Sequence, residues 1–124
     1  MSLNRTDLVK EMNEASSVVL REKGYISFVD VLIEMGKLTK DHYEAWRFGK
    51  VRCLEEVISV NLAKVNHMLR TLHKNCRNGN LRASRTAYVS WGRGPKKPLK
   101  FSKSGDPTIE EAYSTHFLRP KEGA

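Results

Sequence analysis

The sequence predicts a mainly helical α+β protein: a small helical bundle around one long amphipathic helix, followed by a basic β-hairpin and a short terminal helix. Apolar residues recur at helical spacing over much of the first 78 positions. A turn-rich stretch then separates two segments that alternate apolar and polar residues. Between Val57 and Gly105 there is no Asp or Glu, although this stretch holds eleven of the 22 Lys and Arg residues. The fold is therefore expected to present a cationic surface.

Length and composition indicate one ordinary globular unit. The 124 residues, 40% of them hydrophobic and 29% charged, suffice for one core. We expect a single domain over residues 1–118 and a frayed tail over residues 119–124. Residues 1–60 hold nine Lys and Arg against ten Asp and Glu, whereas residues 61–124 hold thirteen against four. This asymmetry favours a balanced scaffold that carries a basic face.

Cysteine usage and the hydropathy pattern predict a cytoplasmic location. Cys53 and Cys76 form neither a disulfide framework nor a Cys-x-x-Cys pair, which fits a reducing compartment. The N-terminus lacks the apolar segment of a signal peptide, and no stretch approaches the roughly 18 apolar residues of a membrane span. We therefore expect no membrane partner.

Three short helices are predicted before position 50. The first runs from Thr6 to Lys23 and ends at Gly24. Ser27 caps a second helix that stops before Gly36, and Thr39 caps a third. The last two have the outline of a helix-turn-helix, but Asp41 and Glu44 in the would-be recognition helix argue against insertion into a DNA groove. These helices are expected to pack in the core.

The apolar residues of the predicted long helix run from Leu54 to Cys76, and Asn78-Gly79-Asn80 is expected to end the helix. Its apolar residues fall on one arc when each residue is rotated by about 100°. The opposite arc holds Lys64, His67, Arg70, Lys74 and Arg77. A helix of roughly 30 Å would serve as the spine of the bundle.

A basic hairpin is predicted after the long helix. One strand runs from Ser84 to Trp91, a turn follows over residues 92–98, and a second strand starts at Leu99. Val89, Trp91, Leu99 and Phe101 are expected to pack on the helices, whereas Tyr88, Ser90 and Lys100 face solvent or ligand. Asp106 and Pro107 then open the terminal helix, which Tyr113, Phe117 and Leu118 can anchor.

Five short segments carry a distinctive pattern: Gly24-Tyr25-Ile26-Ser27, residues 43–49 (YEAWRFG), residues 91–95 (WGRGP), residues 101–106 (FSKSGD) and residues 110–113 (EEAY). Together they resemble a family of small bacterial proteins of unknown function. The similarity covers most of the chain from Gly24 to Phe117. It implies a bacterial cytosolic protein and transfers no catalytic residue.

Binding of DNA or RNA through backbone phosphates is the function that this charge pattern favours, because Lys and Arg displace the counterions condensed on phosphates. The expected contacts are Lys64, Arg70, Lys74, Arg93, Lys96, Lys97 and Lys100. Tyr88 or Trp91, if exposed, could stack on an unpaired base. A basic turn beside an aromatic strand is winged-helix-like only by analogy, because here a long helix lies between the third helix and the hairpin.

Two other classes of function remain open. An exposed patch of Tyr43, Trp46 and Phe48 would make the protein an interaction module or a homodimer. A small enzyme would need a pocket that no sequence motif reveals, and the expectation leans against one. We expect no catalytic residue, no cofactor and no metal site, since His73 and Cys76 alone cannot hold zinc. A phosphate cradle at Ser102–Gly105 is disfavoured by Asp106, Glu110 and Glu111.

Overall fold

The computed structural model describes residues 4–120, which form an α+β fold with five helices and three strands. In chain order the elements are α1 (Arg5–Lys23), β1 (Tyr25–Ser27), α2 (Phe28–Glu34), α3 (Lys40–Arg47), α4 (Leu62–Asn78), β2 (Arg82–Arg85), α5 (Pro107–Ser114) and β3 (Thr115–Leu118). The mixed helix and strand class predicted from the sequence is confirmed.

Side-chain caps determine where the helices begin. Ser27, Thr39 and Asp106 accept hydrogen bonds from backbone N–H groups in the first turns of α2, α3 and α5, as predicted. Asn4 does the same for α1. At the other end of α1, Gly24 has a φ of 80°, and its N–H donates to the carbonyl of Leu20.

The predicted long helix is shorter than expected, because it begins at Leu62 and not at Leu54. Asn61 caps it by accepting from the N–H groups of Ala63 and Lys64. The residues Leu54–Glu56 form a separate 3-10 turn, and the N–H groups of Leu54 and Glu55 donate to carbonyls of residues 100 and 101. The apolar period continues through this break, since Leu54 and Ile58 are both buried. At 17 residues, α4 spans about 25 Å.

A three-stranded antiparallel sheet brings together segments that are far apart in the sequence, with the strand order β1-β3-β2. Ile26 of β1 and Ala83 of β2 both pair with Phe117 of the central strand β3. Neither β1 nor β3 is predicted from the sequence. The sheet therefore depends on pairing across about 90 residues of chain.

The predicted hairpin strands are wrong in extent. The strand expected from Ser84 to Trp91 is replaced by β2, which ends at Arg85 and pairs with β3. Residues 88–99 instead form a loop with one isolated bridge, between Val89 and Pro98. The N–H of Ser90 donates to the carbonyl of Lys97, and that of Leu99 donates to the carbonyl of Tyr88. The chain thus reverses at the expected turn without a continuous ladder.

One hydrophobic core joins residues from α1 to β3. Its largest fully buried side chains include those of Trp46, Tyr113, Phe28 and Phe117. Beyond β3, the Arg119 guanidinium donates to the carbonyl of Leu20 at 3.4 Å, and residues 121–124 of the predicted frayed tail lie outside the described part. Within residues 4–120, no helix is both long and apolar enough to cross a membrane.

Candidate nucleic-acid interface

An open cleft of about 940 Å³ lies between α4 on one side and β2, β3 and α5 on the other. Its apolar surface includes Leu69 of α4, Phe117 of β3 and Ile109 of α5. Val65, Leu69, Leu72 and Cys76 are buried, so the apolar stripe of α4 faces the core. The side of α4 next to this stripe lines the cleft.

Four cationic side chains line this cleft. Arg70, Lys74 and Arg77 come from successive turns of α4, and Arg85 comes from β2 across the cleft. One lining carboxylate, that of Glu111, lies 3.5 Å from the Arg85 guanidinium. Both side chains of this pair are more than half exposed, so their attraction is weak. In the part of the chain that the structure describes, Arg70, Lys74 and Arg77 have no ion-pair partner.

Only some of the predicted contact residues come together in the cleft. Arg70 and Lys74 line it, and Arg77 and Arg85 join them although neither is in the predicted set. Lys64 lies in the first turn of α4 and is not among the lining residues. Lys100 lies elsewhere, beside Cys53 and Lys103 in a small cavity of about 150 Å³. The pairing of β2 with β3 is what brings Arg85 to the cleft.

The remaining predicted cations, Arg93, Lys96 and Lys97, are exposed on the loop of residues 88–99. None of them lines the cleft. The N–H of Trp91 donates to the carbonyl of Arg47 at 2.7 Å, which attaches this loop to the end of α3. The structure therefore divides the predicted basic surface into two separate groups of cations.

Tyr88 is not on the exposed face where the sequence places it. Its ring packs against those of Trp46 and Phe101, and its hydroxyl lies 2.8 Å from Nε2 of His116. Burial raises the pKa of the Tyr88 phenol well above its usual value. Trp91, expected to face inward, is 40% exposed. The sides expected for Tyr88 and Trp91 are thus both wrong, because the predicted strand that would have set them does not form.

The expected aromatic patch on α3 is also divided. Trp46 is fully buried, and its indole N–H donates to the carbonyl of Lys100 at 2.8 Å. Tyr43 is half-buried, whereas Phe48 is 49% exposed. Trp46 therefore belongs to the core, and it offers no surface for a second copy of the chain.

Carboxylates accept from the amides at the start of the segment Ser102–Gly105, and the N–H of Gly105 donates to the Ser102 hydroxyl. Glu110 accepts from the N–H groups of Phe101 and Ser102, and Glu55 accepts from that of Lys103 at 2.8 Å. Glu55 also accepts from the Tyr113 hydroxyl at 2.8 Å. These anionic acceptors already fill the positions that a phosphate would take in a cradle.

His73 and Cys76 pack within the fold. Nε2 of His73 lies 2.9 Å from the carbonyl oxygen of Ala112, and its ring meets that of Phe117 edge to face. Burial raises the pKa of the Cys76 thiol to about 11, which leaves it protonated at neutral pH. Among residues 4–120, no group of three or more His, Cys, Asp or Glu side chains is placed to hold a metal ion.

The fold and the cleft define a small α+β protein with a basic groove. Comparisons with protein-family models, with curated proteins and with solved structures give no match to this chain.

Acid is expected to destabilise the protein in part through His116, which stacks on Tyr25 at a centroid distance of 4.8 Å. Burial is the main cause that lowers the pKa of His116 below 6.5; Asp30 raises it and Lys23 lowers it. Below pH 6.5 the unfolded chain binds this proton first, so stability falls as the pH drops towards the folded pKa. Urea unfolding at pH 7.5 and 5.5 should show a smaller loss in His116→Gln than in the unchanged protein. An equal loss in both proteins would contradict this role of His116.

Proposed function

We propose that the protein binds nucleic acid by holding backbone phosphates in the cleft between α4 and β2. The observation that carries the proposal is the convergence of Arg70, Lys74, Arg77 and Arg85 on one open cleft. Such cations attract a polyanion and displace its condensed counterions, giving affinity with little dependence on base sequence.

The arrangement of the cations supports a polymeric ligand. Arg70, Lys74 and Arg77 recur every three or four residues, so they follow one side of α4 over about 10 Å. Arg85 faces them from the sheet. A row of charges of this length matches successive phosphates of a strand better than one compact anion, because phosphates repeat along the polymer.

The net charge of the protein is positive, as binding to a polyanion requires. Its formal net charge is +8, and its sequence pI is about 9.7. The charge is concentrated after position 60, where the cleft cations lie. Long-range attraction therefore favours the approach of a polyanion, and this attraction weakens as salt is added.

Binding should be measured by fluorescence anisotropy with labelled single-stranded and double-stranded oligonucleotides at 50 and 200 mM salt. Three to four phosphate contacts predict that log K falls with log salt with a slope of about −2 to −4. The same slope should be found for unrelated sequences. Absence of binding at 50 mM salt, or an affinity independent of salt, would contradict the proposal.

A further inference from the structure

A second surface lies outside the cleft, where the loop of residues 88–99 meets the end of α3. The two most exposed large hydrophobic side chains among the described residues are those of Phe48 and Trp91. Their rings are in contact, with centroids 5.7 Å apart and planes at 79°. Adjoining exposed apolar side chains call for an explanation, whereas singly scattered ones do not.

The position of Trp91 is fixed by several contacts. The Arg47 guanidinium lies over its ring at 4.6 Å from the centroid, and the Tyr43 ring meets it edge to face at 5.7 Å. The backbone N–H of Trp91 also donates to the carbonyl of Arg47. Trp91 is therefore held in place before any ligand arrives, so binding need not order it.

Arg47 has an unusual environment. Its Nε is buried and has no hydrogen-bond partner in the part of the chain that the structure describes. Its guanidinium instead lies over the rings of Trp91 and Tyr88, at 4.6 and 5.4 Å. The side chain thus supports the tryptophan ring from within and adds a positive charge beside it.

The loop that carries Trp91 also carries three exposed cations. Gly92 has a φ of 103°, and a side-chain carbon placed there would lie 3.6 Å from the Phe48 ring. The turn therefore requires a residue that accepts a left-handed backbone beside Phe48. The bond from Ser90 to Lys97 closes the loop, so Arg93, Lys96 and Lys97 lie within the same short turn as Trp91.

We propose that Phe48 and Trp91 form a stacking site for an unpaired base, with Arg93, Lys96 and Lys97 binding the adjacent phosphates. The ligand is then a single-stranded nucleic acid, an inference that rests on the proposed function and specifies its substrate class. Aromatic side chains beside cations are the usual means of binding single strands, because every base offers a ring face whatever its sequence. Bases of a duplex are already stacked and cannot use the site.

The test compares Trp91→Ala with Trp91→Phe, which keeps a ring. Both should fold, because Trp91 lies outside the hydrophobic core, and thermal melts would verify this. Three labelled probes of equal length are needed: a single-stranded oligothymidylate, the same backbone without bases, and a duplex. We expect Trp91→Ala to bind the single strand about 5- to 150-fold more weakly. Trp91→Phe should bind nearly as well as the unchanged protein, and neither change should alter duplex binding.

The other outcomes separate this inference from the proposed function. If the unchanged protein binds the strand without bases as tightly as oligothymidylate, or if Trp91→Ala has no effect, the stacking site is wrong and the cleft proposal stands. If Trp91→Ala weakens binding but loss of the cleft cations does not, the cleft proposal is wrong and the stacking site stands. If no probe binds, both are wrong. A blue shift of tryptophan emission with phosphatidylserine vesicles that Trp91→Ala abolishes, and no change with oligothymidylate, would assign the surface to membranes instead.

Discussion

Replacement of Arg70, Lys74 and Arg77 with alanine is expected to weaken nucleic-acid binding at least about tenfold and to reduce the magnitude of the salt slope by two to three. Single-stranded and double-stranded ligands should both be affected, because each presents phosphates to the cleft. The fold should survive, because Arg70, Lys74 and Arg77 are exposed on α4. Anisotropy titrations at several salt concentrations measure both quantities.

A matched control removes the same charge from another part of the surface. Lys10 and Arg21 on α1 and Lys40 on α3 are exposed and do not line the cleft. Their triple alanine variant also lowers the formal net charge from +8 to +5. If binding depends on the cleft, this variant keeps most of the salt slope. Equal losses in both variants would show that only the overall charge matters, and the cleft would have no special role.

Replacement of Trp46 with alanine is expected to destabilise the protein by about 3 to 5 kcal/mol, which is a large part of the stability of a small domain. Trp46 is fully buried against Tyr43, Tyr88 and Phe101. The change leaves a cavity among these rings and removes the donor to the carbonyl of Lys100. Urea unfolding measured by circular dichroism gives the difference in free energy.

Phe48→Ala provides the comparison, because Phe48 follows the same helix but is 49% exposed. We expect it to cost less than about 1 kcal/mol. Size-exclusion chromatography of both variants then addresses the alternative in which the aromatic residues of α3 form a dimer interface. A Trp46→Ala variant that stays as stable as the unchanged protein but changes its oligomeric state would show that Trp46 is an interface residue, against its burial in the structure.

Capping residues in the sequence are sufficient to predict where most of the helices begin. Ser27, Thr39 and Asp106 each cap the helix that the sequence predicts, because the side chain and the amides it accepts from lie within three residues of one another. The start of α4 was wrong because the apolar spacing alone cannot distinguish a continuous helix from a 3-10 turn followed by a new helix. Asn61 supplied a capping signal inside the predicted helix.

The strands depend on distant parts of the chain. β1 and β3 have only three and four residues, so neither is long enough to show an alternating pattern. Pairing with each other stabilises them. In the predicted hairpin, Pro95 and Pro98 lack the N–H groups that a ladder requires. The turn was therefore predictable, whereas the pairing of β2 with β3 was not.

The residues of the candidate site also divide into those that local geometry places and those that distant pairing places. The cationic arc of α4 follows from helical geometry, so the sequence alone predicts that Arg70 and Lys74 share one side of the helix. Arg85 was missed because its place in the cleft depends on β3. Tyr88 was placed on the wrong side because the strand to which it was assigned does not form. Trp91, named as a stacking residue only if exposed, is exposed at 40%.

The central claim is that phosphates lie between α4 and β2, and chemical-shift mapping of the backbone amides tests it most directly. A titration of labelled protein with a short oligonucleotide should shift the amides of residues 70–78 and 83–85 in proportion to bound ligand. The amides of α2, none of whose residues lines the cleft, should stay unchanged. Saturable binding without shifts in those two segments would contradict the account.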